Sequence, residues 1–468
     1  MYSRFYLSVL LMSGLVLVTY LVLTAYDGVM PEWKHYQIEY KELLIKNAKD
    51  DATRTRAQSM QSGLRQTYLA GLKREDRCVN CHLGVDNPMM ADAKLPFKKH
   101  SGNYLANHPV DKFGCTVCHD GQGSATTLES AHGKGHGAHW DRPVLPLEYV
   151  QSSCAQCHDF DMLSKNGGAK VAGGETLFNE KGCRGCHKVN GRGGSLGKTL
   201  DKVGSEPIAY FSMKHVIGDH TVYNWLKRHF EDPQNIMRNS EMKVSLKGSD
   251  SALLTMFAMT LRSDEMPKQY RDMKYTPEVK LNGESLYKRY CIACHEDGTR
   301  SLYNEIFNRT IPAIRNPAFL KAADDKTLET IIKEGRKSTQ MTSWKTVASG
   351  VSDEDVKNII GYLSEKRPAE KYEPFPIPMS QGEPNNGKNI FETHCSVCHG
   401  KDGRGGEDRL GVSLRSPVVQ KMVNPEFLAA TIRDGRSGTP MPPFGKDAIG
   451  LGDKDIADVV AYVRAFPK

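Results

Sequence analysis

The pattern Cys-x-x-Cys-His occurs six times, at Cys78/Cys81/His82, Cys115/Cys118/His119, Cys154/Cys157/His158, Cys183/Cys186/His187, Cys291/Cys294/His295 and Cys395/Cys398/His399, and uses all 12 cysteines of the 468-residue chain. Two thiols three residues apart with an imidazole immediately after are what attachment of a c-type haem requires: two sulfurs for thioether bonds to the vinyl groups and a nitrogen for the iron. Structural zinc, a dithiol redox pair or a disulfide would each explain a cysteine pair. None of them calls for histidine as the next residue every time, and the chain has only 16 histidines. The motifs therefore predict six covalent haem c groups, and the implied chemistry is electron transfer. Thioether attachment takes place on exported, reduced cysteines, so the motif-bearing chain is expected in a periplasm-like compartment.

From Phe5 to Ala25 the chain is uncharged and largely apolar, with Arg4 before it and Asp27 after it. About 20 such residues span a bilayer as a helix. A cleaved signal peptide has a shorter apolar region and small residues at the cut. Only Leu23-Thr24-Ala25 offers a poor site here, so an uncleaved anchor over residues 1–26 is expected, with everything beyond Tyr26 on the outer face of a bacterial cytoplasmic membrane. Residues 27–77 hold no cysteine and are rich in Lys, Glu, Arg and Gln. They read as a helical stalk in which His35 is a spacer residue and not a ligand.

Three motifs then fall within residues 78–165, too little chain to wrap each haem in a domain of its own, so a loop-rich triheme module with mutually packed porphyrins is expected. Its second axial ligands should also be histidines, because Met89 and Met90 sit together just after the first motif. The candidates are His100, His108, His132 and His139, with His136 less favoured inside its Gly-Lys-Gly-His-Gly run. Four or five histidines for three irons leave a surplus, and spacing does not pair ligand with motif.

The second half repeats. Gly174-Glu-Thr-Leu177-Phe178 precedes Cys183, Gly283-Glu-Ser-Leu286-Tyr287 precedes Cys291, and Gly387-Lys-Asn-Ile390-Phe391 precedes Cys395. Apolar segments close the repeats at Leu253–Leu261, Val356–Leu363 and Ile456–Val463, and each carries an aromatic, Phe257, Tyr362 or Tyr462. An N-terminal aromatic crossing a C-terminal one is the expected packing. On these residues the segments 173–266, 281–366 and 385–468 resemble class I cytochrome c domains, which makes the whole chain mainly α: membrane helix, stalk, triheme module and three tandem α domains.

That resemblance implies a methionine sulfur as sixth ligand, on a loop before the last helix. Gly435-Arg436-Ser-Gly-Thr-Pro440-Met441-Pro442 matches the family loop, and Gly335-Arg336-Lys-Ser-Thr-Gln340-Met341 keeps its spacing without the prolines. In the fourth motif's domain Asp232-Pro233 followed by Ser240-Glu241-Met242 is similar, with Lys243 where proline is usual and Met237 as competitor. Arg336 and Arg436 stand where a side chain reaches a haem propionate or lies solvated. Exchanging an imidazole for a thioether raises the potential, so electrons are expected to run from the bis-His module to the His/Met domains. Linkers at Pro267–Lys280 and Lys366–Pro384 would let those domains move.

The formal net charge of +8 is spread along the chain and offset by propionates, so no nucleic-acid partner is read from it. Residues 60–160, through Asp76-Arg77-Cys78, His108-Pro109, Phe113-Gly114-Cys115 and His119-Asp120-Gly121-Gln122-Gly123, resemble the multihaem subunits of quinol-oxidising complexes of cytochrome b/Rieske or alternative-complex type. The resemblance implies a polytopic cytochrome b-type or quinol-oxidising partner and a soluble cytochrome or oxidase as acceptor. Two alternatives stay open: a multihaem reductase or peroxidase-type enzyme, which needs an open iron position, and a subunit of a terminal oxidase or nitrite-oxidising complex.

Overall fold

The computed structural model describes residues 2–466, apart from 135–139, 264–265, 268–269, 271–279, 337–338, 371–374, 406–410, 417–418 and 421–422. Helices of eight residues or more are numbered here. Helix α1 (Tyr2–Val29) is uninterrupted, and over Arg4–Val29 it reaches a mean hydropathy of 2.3 with nothing buried, which makes it long and apolar enough to cross a membrane. Pro31 ends that run, and α2 (Glu32–Asn47) and α3 (Asp51–Gln58) follow. These two helices are not a free spacer. The rings of Tyr36 and Tyr40 pack on Phe97 at 6.5 and 5.9 Å. Gln37 donates to Gly63 O and Asn80 Oδ1, and the Glu32 carboxylate accepts the Leu128 N–H. The segment expected as a stalk thus clamps onto the motif-bearing chain.

Among the described residues between 67 and 165 the strands are β1 (Thr67–Leu69) and β2 (Arg74–Asp76), an antiparallel pair with Thr67 opposite Asp76. Short helical turns alternate there with irregular loops. Apolar clusters are small around the first two motifs, Tyr40/Leu83/Met90/Phe97 and Leu69/Val117/Met266, whereas Leu145, Tyr149 and Leu163 join the core of the unit that follows. Buried polar knots do the joining. Asp76 is fully buried and accepts the N–H groups of Cys78, Cys115 and Thr116 at 3.1, 2.7 and 2.8 Å, tying the first two motifs to one carboxylate. Asn80 likewise holds the backbone of Arg65 and Arg77.

From residue 169 the same arrangement is built three times: α4 (Ala169–Glu180), α5 (Val222–Glu231) and α6 (Ser249–Ala258); α7 (Gly283–Tyr290), α8 (Asp325–Glu334) and α9 (Asp353–Ser364); α10 (Pro384–His394), α11 (Pro425–Asp434) and α12 (Asp453–Arg464). A hairpin of β3 (Leu302–Asn304) and β4 (Arg309–Ile311) is inserted in the second. In each unit the first and last helices cross where sequence expects, with Phe178 on Phe257 at 4.8 Å, Tyr287 on Tyr362 at 5.4 Å and Phe391 on Tyr462 at 5.4 Å. The crossing needs the repeat's leading glycine. A Cβ on Gly174, Gly283 or Gly387 would lie 2.2, 2.1 or 1.9 Å from the carbonyl oxygen of Leu253, Asn358 or Asp458 on the partner helix, so only glycine lets the backbones approach. The middle helix is fixed by one recurring bond: the carbonyls of Phe230, Ile332 and Ile432 accept the N–H groups of Leu246, Trp344 and Phe444.

The units do not stand apart. The second and third share one apolar core, from Leu286 to Phe466, with Phe319 edge-on to Phe427 at 5.8 Å and Asn316 donating to Ser437 O. The expectation of free movement about 366–384 is corrected by that shared core. The first and second are pinned by Arg192–Asp355 at 2.6 Å and by Gly193 N–H to Ser349 O. Arg262 grips Asp120 with two bonds, 2.9 and 2.7 Å, both side chains buried, so the triheme segment is docked on the first unit.

Candidate metal centres

Three histidines outside the motifs each face one inside: His132 and His82 with ring centres 6.2 Å apart, His100 and His119 at 6.0 Å, His108 and His158 at 5.9 Å. That separation is too long for a hydrogen bond between rings. It suits one metal ion shared by two imidazoles, at about 2 Å per metal–nitrogen bond plus roughly 1 Å from each nitrogen to its ring centre. Backbone carbonyls take the other nitrogen of the distal rings, Ser101 O at 2.8 Å from His100 Nδ1 and Tyr104 O at 3.1 Å from His108 Nδ1, which turns Nε2 toward the site. Burial first, and then the facing imidazole, lower the basicity of His82 and His119, keeping both neutral as a ligand must be. His139 and the less favoured His136 lie outside the described residues.

In the three C-terminal units the motif histidines are oriented in the same way, His187 Nδ1 by Lys198 O at 2.7 Å, His295 Nδ1 by Pro312 O at 3.3 Å and His399 Nδ1 by Val412 O at 2.9 Å. Burial pushes His295 down to about 4. Each expected methionine is seated by one device: its N–H donates to the hydroxyl two residues earlier, Met242 to Ser240, Met341 to Thr339 and Met441 to Thr439, at 3.3, 3.1 and 3.2 Å. Met242 packs against the apolar core of its unit, whereas Met237 is 50% exposed.

A cavity of about 770 Å³ brings His295, Met341, Cys291 and Cys294 together and continues to Gly411, Val412 and Phe427 of the next unit. Its described lining carries Arg309, Arg336, Arg404, Arg415 and Arg436 and no carboxylate. The Nε atoms of Arg336 and Arg436 are buried without a hydrogen-bond partner. Burial, and after it the charge of Arg336, hold Arg436 down to about 10. Cations enclosed this way call for anions in the same cavity, and haem propionates supply them, so the residues present fit the group.

The fifth and sixth motifs both place their first cysteine, Cys291 and Cys395, against the core shared by the last two units. All twelve motif cysteines are half-buried and none is in a disulfide, but Cys395 and Cys398 are not among the described residues lining the cavity that takes in Cys291 and Cys294. Burial pushes the Cys395 thiol up to about 11. Cys398 is the expected second thioether sulfur of this motif. Its backbone is fixed by a close approach of Gly411, where a Cβ would lie 2.1 Å from the Cys398 carbonyl oxygen. The same loop supplies Val412 O to His399, so the sixth motif's second cysteine and its histidine are held by one stretch of backbone.

Neighbouring motifs are linked in different ways. Cys78 and Cys115 lie with Asp76 inside one 4.8 Å cluster, whose carboxylate is committed to backbone N–H groups. Cys118 lies in the field of Cys154 and Cys157, Cys154 and Cys183 pack on one apolar cluster, and the thiols of Cys186 and Cys294 are hydrogen-bond neighbours. Cys81 of the first motif feels the charge of Glu32, three residues beyond α1. Sequence reasoning passed over Asp76, Asn80, Arg262 and His229. The last of these is a half-buried imidazole held down to about 4 by burial and then by His187; its absence from equivalent positions in the other repeats was the available signal.

The family model for the cbb3-type cytochrome c oxidase subunit III matches twice, over residues 279–363 and 382–463, and the cytochrome c model matches residues 171–261. The chain is a c-type cytochrome. Its three C-terminal units are cytochrome c domains, and the class I resemblance of those segments holds. Among curated proteins, the fructose dehydrogenase cytochrome subunit of Gluconobacter japonicus is 34% identical over 86 residues, 17% of this chain and 18% of that protein. The cytochrome therefore spans under a fifth of that relative's length. A chain of the reducing HAO-like protein complex of Kuenenia stuttgartiensis aligns at 21% identity and a TM-score of 0.29, covering 41% of this cytochrome and 98% of that chain.

Proposed function

We propose that the cytochrome is a membrane-anchored hexahaem relay. Electrons enter at the first motif and leave from the C-terminal domains. Haem c supplies one chemistry at each motif, the exchange of one electron between ferric and ferrous iron. The chain's residues do the rest. His82/His132, His119/His100 and His158/His108 form three bis-imidazole sets, and His187/Met242, His295/Met341 and His399/Met441 form three imidazole–thioether sets. The second group lies at higher potential, which gives the direction. The observation that carries the reading is the close approach of the first three motifs to one another and of the fourth to the fifth, with the third and fourth packed on one apolar core and the last two domains sharing a cavity. Burial lowers the basicity of His82, His119, His132, His187 and His295 and so favours their neutral, ligating form.

With α1 in the cytoplasmic membrane and the motifs on its outer face, the donor is a polytopic cytochrome b-type or quinol-oxidising subunit, and the acceptor a soluble cytochrome or oxidase. The likeness to a dehydrogenase's cytochrome subunit supports a second donor class, a sugar-oxidising type of subunit. No bond chemistry is assigned to the chain, because every motif has a candidate sixth ligand. Purification in mild detergent with a reduced-minus-oxidised spectrum is the test. A co-purifying b-type subunit and reduction by quinol support the first donor. A co-purifying sugar-oxidising subunit and reduction by a sugar support the second, and c-type haem with no partner and no reduction by either overturns the relay as a complex subunit.

A further inference from the structure

The carbonyl bonds that fix α5, α8 and α11 at Phe230, Ile332 and Ile432 align the three helices residue by residue, and the preceding position is His229, Ile331 or Thr431. Ile331 lines the cavity that holds His295 and Met341, so His229 stands at the corresponding place in the first cytochrome c domain. Its ring is stacked on Trp225 at 4.7 Å and 11°, and its Nδ1 is sealed from solvent with no hydrogen-bond partner. A buried imidazole nitrogen left so on a half-buried ring is costly unless something else uses it. The neighbouring loop differs as well. From Phe230 to the Leu246 anchor it is four residues longer than from Ile332 to Trp344, and Pro233-Gln234 replaces Gly335-Arg336, whose Arg336 N–H ties down Met341 O. Met242 is therefore tethered over a longer span than Met341.

We propose that His229 is a reserve sixth ligand of the fourth motif's iron, taking the place of Met242 when that sulfur leaves. This rests on the reading of Met242 as the resident ligand. One coordinate bond from sulfur breaks and one from an imidazole nitrogen forms, each ligand keeping its own electron pair, with no change of iron oxidation state. The fourth haem then has two potentials, the imidazole-ligated one lower.

The test uses the full-length, detergent-solubilised cytochrome with covalent haem content checked, and reads carbon monoxide bound per reduced chain together with low-temperature EPR of the oxidised form. M341A is expected to bind one carbon monoxide, Ile331 offering no replacement. M242A is expected to bind none and to gain a low-spin bis-imidazole signal, and M242A/H229L to bind one. One carbon monoxide on M242A, as on M341A, overturns the reserve ligand and leaves the Met242 reading standing. An M242A spectrum identical to wild type, with its sulfur-to-iron near-infrared band intact, overturns both.

Discussion

Residues 27–165 and residues 171–466 hold the same motif by opposite means. Around the first two motifs the buried Asp76 and Asn80 pin backbone to backbone and Asp120 is paired with the Arg262 side chain, while apolar clusters stay small. In the cytochrome c domains extended apolar cores do the work, each centred on two helices crossing at a glycine and two aromatics. A core of many dispersion contacts fails gradually, since each lost methylene removes about 0.8 kcal/mol. A polar knot fails at once, because removing its centre leaves several buried donors unmatched. The stretch around the first two motifs, with so little side-chain core, depends on its polar knots.

The sharpest way to break that contrast is Asp76→Ala. Three backbone N–H groups lose their acceptor, at about 1–3 kcal/mol each, and covalent haem at the first two motifs, read by mass spectrometry of peptides, is expected to fall while the last three motifs load normally. Uniform loss over all motifs would end the idea of separate means. Next comes Arg262→Ala, which strands a buried Asp120 at a cost of about 3–5 kcal/mol. Calorimetry should then resolve the single docked transition into an earlier triheme one and a later domain one; an unsplit transition would mean that other contacts hold the dock. Gly283→Ala forces α7 from α9 and should cost about 1–3 kcal/mol by overpacking, lowering the unfolding temperature of the second and third domains together because they share a core. Independent melting of the third would contradict that core.

The smallest effect is on pH. Asp458 is pushed up by burial, but Lys454, Asn386 and the Glu383 N–H outweigh it and leave it lowered. A carboxylate lowered in the folded state stabilises above its unfolded pKa of about 3.9, and that contribution is lost as pH falls through the folded value. The third domain should therefore weaken on acidification below about pH 4, and Asp458→Asn should flatten the dependence in denaturant titrations. A steeper slope in the variant would reverse the sign.

Repeats were legible wherever a local rule generates them. The Gly-x-x-aliphatic-aromatic lead announced α4, α7 and α10, and the aromatic crossings follow from helix period alone. Ser240, Thr339 and Thr439, two residues before each methionine, made Met242 recognisable against Met237 only once their hydroxyls were seen to take the methionine N–H groups. The interlocked histidine pairs were not legible: His132, beyond the second motif, faces the first, while His100 and His108, both before the second motif, face the second and the third. No periodicity encodes a partner brought from tens of residues away.

By itself the sequence determined the six attachment motifs, the apolar N-terminal span and the three-fold repeat, because thioether chemistry, bilayer thickness and helix period each demand residues at short, fixed spacing. Only the tertiary structure decided which histidine faces which, that α2 and α3 pack on the motif-bearing chain, that the last two units share a core, and that Arg336 Nε, Arg436 Nε and His229 Nδ1 are sealed from solvent. Those depend on which surfaces exclude water from one another, a property of the folded whole that no local spacing carries.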